Sequence, residues 1–197
     1  MRPSVITISR QFGSGGRQVG AELAQRLGVP FYDKALFEEA AKRSGIHPEH
    51  FAQAEQQRGR LFAYLFQNNA AGSFELSLED KIFLEQAKTI QKLAQEGPCI
   101  LVGRGANRIL EKRGDVLNIF LYAPRDMRLK RITQVYHVPE EQAEKALRDT
   151  DRDRSAYLKT YTGQVFGQAE NYHLCLDSGT LGIENTVKII EAVYKTL

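Results

Sequence analysis

The sequence has no tryptophan and only two cysteines and two methionines among its 197 residues. Cys99 and Cys175 both lie in apolar runs, so we interpret them as buried thiols outside any disulfide framework, which fits a reducing compartment. No apolar stretch approaches the length that spans a bilayer, and the first residues lead directly into a strand pattern rather than a signal peptide. We therefore expect a cytoplasmic protein with no membrane partner.

A strong charge of either sign is also absent. The chain carries 27 Lys and Arg against 24 Asp and Glu, a formal net charge of +3, and the two signs are interleaved. This balance is too weak to indicate a nucleic-acid partner. The length suits one α/β domain with a sizeable core, alone or with a small inserted lid.

A glycine-rich segment near the N-terminus is the clearest motif. The β-branched run 5–8 leads into Gly13–Arg17, and apolar residues at the spacing of one helix face follow. Strand, glycine loop and helix form the layout of a phosphate-binding loop, whose backbone N–H groups and helix N-terminus attract anions. The loop lacks the Lys and the Ser or Thr of the pattern G-x-x-x-x-G-K-[ST], and Arg17 is the cation it delivers. A tight strand-to-helix turn without a ligand is the alternative.

Four further strand patterns alternate with helical patterns, at 29–32, 99–102, 116–122 and 174–177. Five short strands separated by helices predict an open parallel sheet, which binds ligands at the carboxyl ends of its strands. Asp33 ends the second strand and is a candidate for contact with substrate or metal-bound water, or equally a helix N-cap. Arg104 lies in a second glycine turn after the third strand and offers a fork for phosphate oxygens, with pairing to a nearby carboxylate as the alternative.

The region between the second and third strands reads as helical. Its pattern predicts helix over much of 34–71, a break at 70–73, a capping box at Ser77–Asp80 and a helix that ends at Gly97. We interpret its apolar stripe as core or hinge packing, formed by Leu61, Phe62, Leu65 and Phe66. A phosphoryl-transfer enzyme could seat its acceptor in this region.

Alternating charges mark a segment near residue 150. Arg148 and Arg152 lie one helical turn apart, with Arg154 and Lys159 just beyond. Such a run is typical of a solvated, self-paired helix face. The same cations could equally belong to a movable lid that closes over a triphosphate and excludes water.

Taken in order, several segments resemble the cytidylate kinases, and most closely their cytidylate-kinase-like branch within the P-loop nucleoside monophosphate kinases. The resemblance covers nearly the whole chain and is weakest between about residues 45 and 95. The segments that carry it are Ile6–Arg17, Ala21–Asp33, Ile100–Gly105, Asp115–Tyr122, Arg128–Arg131, Asp151–Arg154 and Leu174–Ser178.

This resemblance implies a three-layer α/β/α P-loop kinase with a five-stranded parallel sheet of order 2-3-1-4-5, a helical acceptor-binding insertion and a short lid. It implies one domain over 1–197, with its core at 1–33, 97–140 and 165–197, its acceptor region at about 34–96 and its lid at about 148–164. The implied activity is transfer of the γ-phosphoryl group of ATP to CMP or dCMP, with Mg²⁺. We expect small-molecule nucleotides as partners, and a monomer or homodimer.

The resemblance also assigns roles to individual residues. The donor phosphates would be held by Gly13, Ser14, Gly15, Gly16, Arg17 and Gln18. Arg17, Arg152 and Arg154 would stabilise charge during the reaction. Asp33, Arg104 and Asp153 would bind the acceptor, whereas no metal-binding group is assigned.

The chain departs from the family pattern at several of these positions. Gly16 stands at the P-loop lysine and Gln18 at the Mg²⁺-binding threonine. On the acceptor side and in the lid, the departures are Lys34, Ala35, Glu39, Gly105 and Ala156. Two other functions therefore stay open: a nucleotide- or phosphate-ligand-binding regulatory protein with weakened catalysis, and a kinase for a non-nucleotide acceptor.

Overall fold

The computed structural model describes residues 4–33 and 78–197. Within them, five strands form one parallel sheet in the order β2-β3-β1-β4-β5, which confirms the predicted sheet order. The strands are β1 (Val5–Arg10), β2 (Phe31–Tyr32), β3 (Cys99–Val102), β4 (Val116–Tyr122) and β5 (Leu174–Asp177). The second strand begins two residues later than predicted, because the Val29 N–H donates to the Ala24 carbonyl and closes the preceding helix instead.

Six α-helices lie in the described part of the chain. They are α1 (Gly16–Leu27), α2 (Leu78–Glu96), α3 (Ala106–Ile109), α4 (Arg125–Gln134), α5 (Glu140–Thr162) and α6 (Gly182–Thr196). None of these helices is long and apolar enough to cross a membrane. The helix predicted over 34–71, its apolar stripe and the start of the predicted capping box at Ser77 lie outside the described residues.

The core lies on both faces of the sheet, as expected where alternate strand residues point to opposite sides. On one face, Ile6 and Ile8 of β1 pack against Leu23 of α1 and Ile190 of α6. On the other face, the cluster comes from β1, β3, β4, α2 and the α3 region, and includes Val5, Ile90, Cys99, Leu101, Ala106 and Leu110. The layers are therefore helix, sheet and helix, and this arrangement is the predicted P-loop kinase architecture.

The parallel sheet places the segments after its strands at one edge. The Gln11 N–H donates to the Leu121 carbonyl, and the Gln11 side-chain oxygen accepts from the Ala123 N–H. Ser178, just after β5, donates through Oγ to the carbonyls of Ser14 and Tyr122. The glycine loop is thus held by residues that follow β4 and β5.

Ile190→Ala should lower the free energy of unfolding by about 2–5 kcal/mol, because Ile190 is fully buried between α6 and the sheet and its truncation leaves a cavity. Lys188→Ala on the same helix removes only an exposed ion pair with Glu184 and should change stability by less than about 0.5 kcal/mol. Urea denaturation of both variants measures the difference. Equal losses would contradict this description of the core.

Candidate phosphate-binding site

The loop between β1 and α1 is turned by two glycines in the left-handed region. Gly13 has φ 77° and Gly15, the N-cap of α1, has φ 80°. A Cβ atom on Gly13 would lie 2.8 Å from the Arg128 carbonyl oxygen, so the loop also passes tightly against α4. Both glycines are required by the path of the chain, and not only by a ligand.

Every carbonyl oxygen from residue 10 to residue 14 accepts a hydrogen bond within the protein. The side-chain donors are Arg154 to Arg10 (3.0 Å), Ser14 to Gln11 (2.9 Å), Arg128 to Phe12 (3.3 Å), Arg131 to Gly13 (3.2 Å) and Ser178 to Ser14 (2.6 Å). The carbonyl oxygens, which are the electronegative groups of this backbone, therefore point toward donors of the protein itself.

The N–H groups of the loop divide into two sets, since those of Gln11, Phe12 and Ser14 bond within the protein and most of those that follow do not. Among the described residues, the N–H groups of Gly13, Gly15, Gly16, Arg17 and Gln18 have no hydrogen-bond acceptor. The last three belong to the first turn of α1, where the helix dipole adds positive potential. A run of such N–H groups suits an anion, and phosphate oxygens are the usual ligands of this arrangement.

Asp151 of α5 fastens that helix to the glycine loop. Its Oδ1 atom accepts a hydrogen bond of 2.7 Å from the Phe12 N–H, and Oδ2 forms an ion pair with Arg128. Arg128 is buried, with 9% of its surface exposed. One carboxylate thus connects the loop, α4 and α5.

A cavity of about 340 Å³ opens between the ends of β1 and β3 and helix α5, and three arginines line it. Arg10 comes from the end of β1, Arg104 from the turn after β3, and Arg154 from α5. Tyr157 and Phe166 add aromatic surface, and the Arg104 guanidinium lies 5.4 Å from the Tyr157 ring centroid. The cavity therefore combines concentrated positive charge with ring surface.

The turn that presents Arg104 has an uncommon backbone. Gly103, Arg104 and Gly105 have φ values of 88°, 56° and 66°, three successive left-handed residues. A non-glycine residue in this region costs conformational energy, and such positions cluster at functional sites. The glycines on either side allow the chain to bend sharply enough to direct the turn toward the cavity.

The arginines repel one another across the cavity. Burial, with the charges of Arg154 and Arg104, lowers the pKa of Arg10 to about 9, while Asp33 and Tyr136 act in the opposite direction. Burial also lowers the pKa of Arg154, against the attraction of Asp151. Within residues 4–33 and 78–197, no carboxylate forms an ion pair with Arg10 or Arg154. A bound anion would relieve this repulsion.

Two of the residues predicted from the loop have side chains engaged elsewhere. Arg17 is 73% exposed, and its Nε atom lies 2.7 Å from Oδ2 of Asp33. The Gln18 amide donates to Glu22 on the outer surface of α1. Neither side chain lines the cavity, so their contribution near the loop comes from the backbone N–H groups.

The charged segment of α5 divides between solvent and cavity. Arg152 is exposed and pairs with Asp149 at 3.1 Å and Asp153 at 3.2 Å. Asp153 and Arg154 line the cavity, whereas Arg152 does not. The predicted lid, about 148–164, lies mostly within the continuous helix α5 in this structure. Movement of the segment stays a prediction.

Sequence reasoning missed Arg10. The sequence feature that could have identified it is its position: Arg10 directly precedes the glycine loop and stands where the pattern G-x-x-x-x-G-K has its first glycine. It also missed the role of Asp151, because a carboxylate in a run of alternating charges gives no sign of a distant backbone partner.

The described residues fit phosphate better than they fit a metal ion. Across 4–33 and 78–197, no group of three or more His, Cys, Asp or Glu side chains could hold a metal. Gln18, at the position where the resemblance implies a Mg²⁺-binding threonine, supplies no hydroxyl. Protein ligands for Mg²⁺ are therefore not evident at the loop.

The parallel sheet of order 2-3-1-4-5 and the phosphate-type loop between β1 and α1 define a P-loop kinase fold. The sequence matches the cytidylate kinase-like family over residues 5–180, and the chain belongs to that family. No curated protein sequence matches the chain.

Solved structures share this fold at low sequence identity. An uncharacterized protein from Eubacterium ventriosum is 23% identical, with a TM-score of 0.76 over 98% of this chain and 99% of its own. A shikimate kinase from Acinetobacter baumannii in complex with shikimate is 17% identical, with a TM-score of 0.54 over 100% and 95%. A gluconokinase from Sinorhizobium meliloti is 15% identical, with a TM-score of 0.58 over 98% and 95%. At these identities the likeness establishes the fold alone.

Asp151→Ala should lower the free energy of unfolding by about 3 kcal/mol, because it leaves the buried Arg128 without its carboxylate and the Phe12 N–H without an acceptor. Asp149→Ala on the same helix removes only surface ion pairs with exposed arginines and should cost less than about 1 kcal/mol. Urea denaturation compares the two variants. Similar values would show that Asp151 does not tie α5 to the loop.

Proposed function

We propose that this protein transfers the γ-phosphoryl group of ATP to a small anionic acceptor, for which CMP or dCMP is the first candidate. The observation that supports it most is the convergence of Arg10, Arg104 and Arg154 on one cavity at the end of β1, the strand that leads into the loop with the unused N–H groups. Membership in a kinase-like family supports phosphotransferase chemistry in general.

The arrangement suits a reaction that works by positioning and charge neutralisation. The loop N–H groups would hold the donor phosphates. Arg154 would lie where charge develops on the transferred group, and Arg104 would hold the phosphate of the acceptor. Asp33, oriented by Arg17, and Asp153 would accept hydrogen bonds from acceptor hydroxyl or amino groups. The roles predicted for Arg17 and Arg152 in charge stabilisation remain predictions.

Magnesium would reach the site bound to ATP. Mg²⁺ in such enzymes is commonly held by substrate phosphates and water with only one or two protein ligands. When bound, it would neutralise charge on the β- and γ-phosphates. The protein groups that would contact it are not assigned.

Two further functions have specific support. The missing P-loop lysine and threonine favour a phosphate-ligand-binding regulatory protein with weak catalysis. A non-nucleotide acceptor is compatible with the fold, which a shikimate kinase in complex with shikimate and a gluconokinase share, and with the departures at Lys34, Glu39 and Gly105 on the acceptor side. The regulatory protein differs from the leading proposal by the lack of turnover, and the non-nucleotide kinase differs from it by the acceptor.

An acceptor panel tests the proposal. With ATP and Mg²⁺, we expect the highest kcat/KM for CMP or dCMP among CMP, dCMP, UMP, AMP, shikimate and gluconate, measured by coupled ADP release with confirmation of the phosphorylated product. A higher value for shikimate or gluconate would favour the non-nucleotide kinase. Tight ATP binding with no turnover on any acceptor would favour the regulatory protein.

Arg104→Asn should raise the KM for the acceptor by about 10- to 100-fold, because a charge-assisted contact to phosphate is lost. Asparagine tolerates the left-handed backbone at this position, so the substitution removes charge with little added strain. Steady-state kinetics with the acceptor varied measures the effect, and the Kd of ATP should stay unchanged.

The matched control is Arg125→Ala, which removes an exposed arginine of α4 that pairs with Glu144 outside the cavity. This variant should leave the KM for the acceptor and the Kd of ATP unchanged. An Arg104→Asn variant that weakens ATP and spares the acceptor would place Arg104 on the donor side instead.

A further inference from the structure

Arg10, the last residue of β1, suggests a more specific role within the proposed function, on which the inference rests. We propose that Arg10 replaces the P-loop lysine and that its guanidinium binds the β- and γ-phosphate oxygens of ATP. The loop would then keep its cation, delivered from the last residue of the strand rather than from the first turn of the helix.

The sequence shows an exchange at two positions of the loop pattern. When the second glycine of G-x-x-x-x-G-K is placed on Gly15, Arg10 falls on the first glycine and Gly16 on the lysine. The glycine position has gained a cation, and the cation position has become glycine. The two departures are therefore complementary rather than independent losses.

The packing of Gly16 explains why the two departures occur together. A Cβ atom on Gly16 would lie 2.8 Å from Cβ and 2.9 Å from Cγ of Arg10. Non-bonded carbon atoms prefer about 3.5–4.0 Å, so the stem of Arg10 takes the space in which a side chain at position 16 would begin. Arg10 and a lysine at position 16 exclude each other in this backbone.

The other end of the Arg10 side chain lies against a second glycine. A Cβ atom on Gly103 would collide with Nη1 of Arg10, and Gly103 is fixed there by donating its N–H to the Ile8 carbonyl at 3.0 Å. The side chain therefore runs from the first residue of α1 to the turn after β3, with its guanidinium against Gly103. From this place it lines the same cavity as Arg104 and Arg154.

Arg10 has no ion-pair partner within the described residues, although the charge of Asp33 attracts it from beyond ion-pair distance. No carboxylate among 4–33 and 78–197 forms an ion pair with it, and two further arginines repel it across the cavity. The guanidinium is a planar fork that matches two phosphate oxygens, which suits an oligophosphate better than a single carboxylate. The β- and γ-phosphates of ATP, which the P-loop lysine reaches in the usual pattern, provide that charge.

Calorimetric titration of ATP, ADP and AMP into the full chain tests the assignment. Arg10→Ala should weaken ATP binding by about 10- to 100-fold and leave AMP binding unchanged, because the contact is made only beyond the α-phosphate. Arg10→Lys should give a smaller loss, since it keeps a positive charge on a side chain of different reach. Arg125→Ala serves as the matched surface control and should bind all three nucleotides like the wild type.

A restoration experiment tests the exchange itself. Gly16→Lys alone should disturb the loop through contact with Arg10, and Arg10→Gly alone should lose ATP affinity. The double variant Arg10→Gly/Gly16→Lys recreates the usual pattern and should recover at least 10-fold of the ATP affinity lost in Arg10→Gly. Additive losses in this double-mutant cycle would overturn the inference.

The outcomes separate this inference from the proposed function. If folded Arg10→Ala, checked by circular dichroism, binds ATP like the wild type, the inference is wrong even where the wild type transfers phosphate. If ATP affinity depends on Arg10 as expected but no acceptor is phosphorylated, the inference holds and the proposed function is wrong. Should Arg10→Ala fail to fold, the ATP affinities of Arg10→Lys and of the double variant test the inference in its place.

Discussion

The hydrogen bonds to the loop carbonyls of residues 10–14 are the constraint on which the site depends. The N–H groups of Gln11, Phe12 and Ser14 also bond within the protein, so the loop is held through both kinds of backbone group. Within the described residues, the N–H groups of Gly13 and of residues 15–18 remain available to an anion. Apart from the serine within the loop, the donors come from α4, α5 and the segment after β5. The loop can therefore take this form only when the sheet edge and both helices are assembled, and the phosphate site is a product of the whole fold.

The sequence allowed prediction of those features that repeat locally. Apolar periodicity and glycine breaks predicted the five strands, and the family resemblance predicted their order. The glycine loop was recognised from the succession of strand, glycine run and helix. The directions of the side chains around the loop could not be predicted from the sequence. Arg17 and Gln18 follow the loop in sequence, but Asp33 and Glu22 hold their side chains away from the cavity. Arg10 lies before the loop, and its direction depends on two glycines, one of them after a different strand.

Helix α5 shows why one charge pattern supported two interpretations. A helix turns about 100° per residue, so neighbours in an alternating run face different surroundings. Arg152 and Asp149, three residues apart, pair at the solvent surface. Asp151 contacts the glycine loop, and Arg154 contacts the end of β1. The self-paired face and the cation directed at the cavity are both present, on different sides of the same helix. Sequence spacing alone does not indicate which side faces the loop.

The mutual exclusion of Arg10 and a side chain at position 16 also bears on how such a loop can arise. Starting from the usual pattern, one substitution gives either a loop without its cation or a loop with two side chains in one space. Neither single step preserves both packing and charge, so the two kinds of loop are separated by an unfavourable intermediate. Lineages on either side would tend to keep their own version. A search that requires the lysine would pass over every descendant of the arginine version.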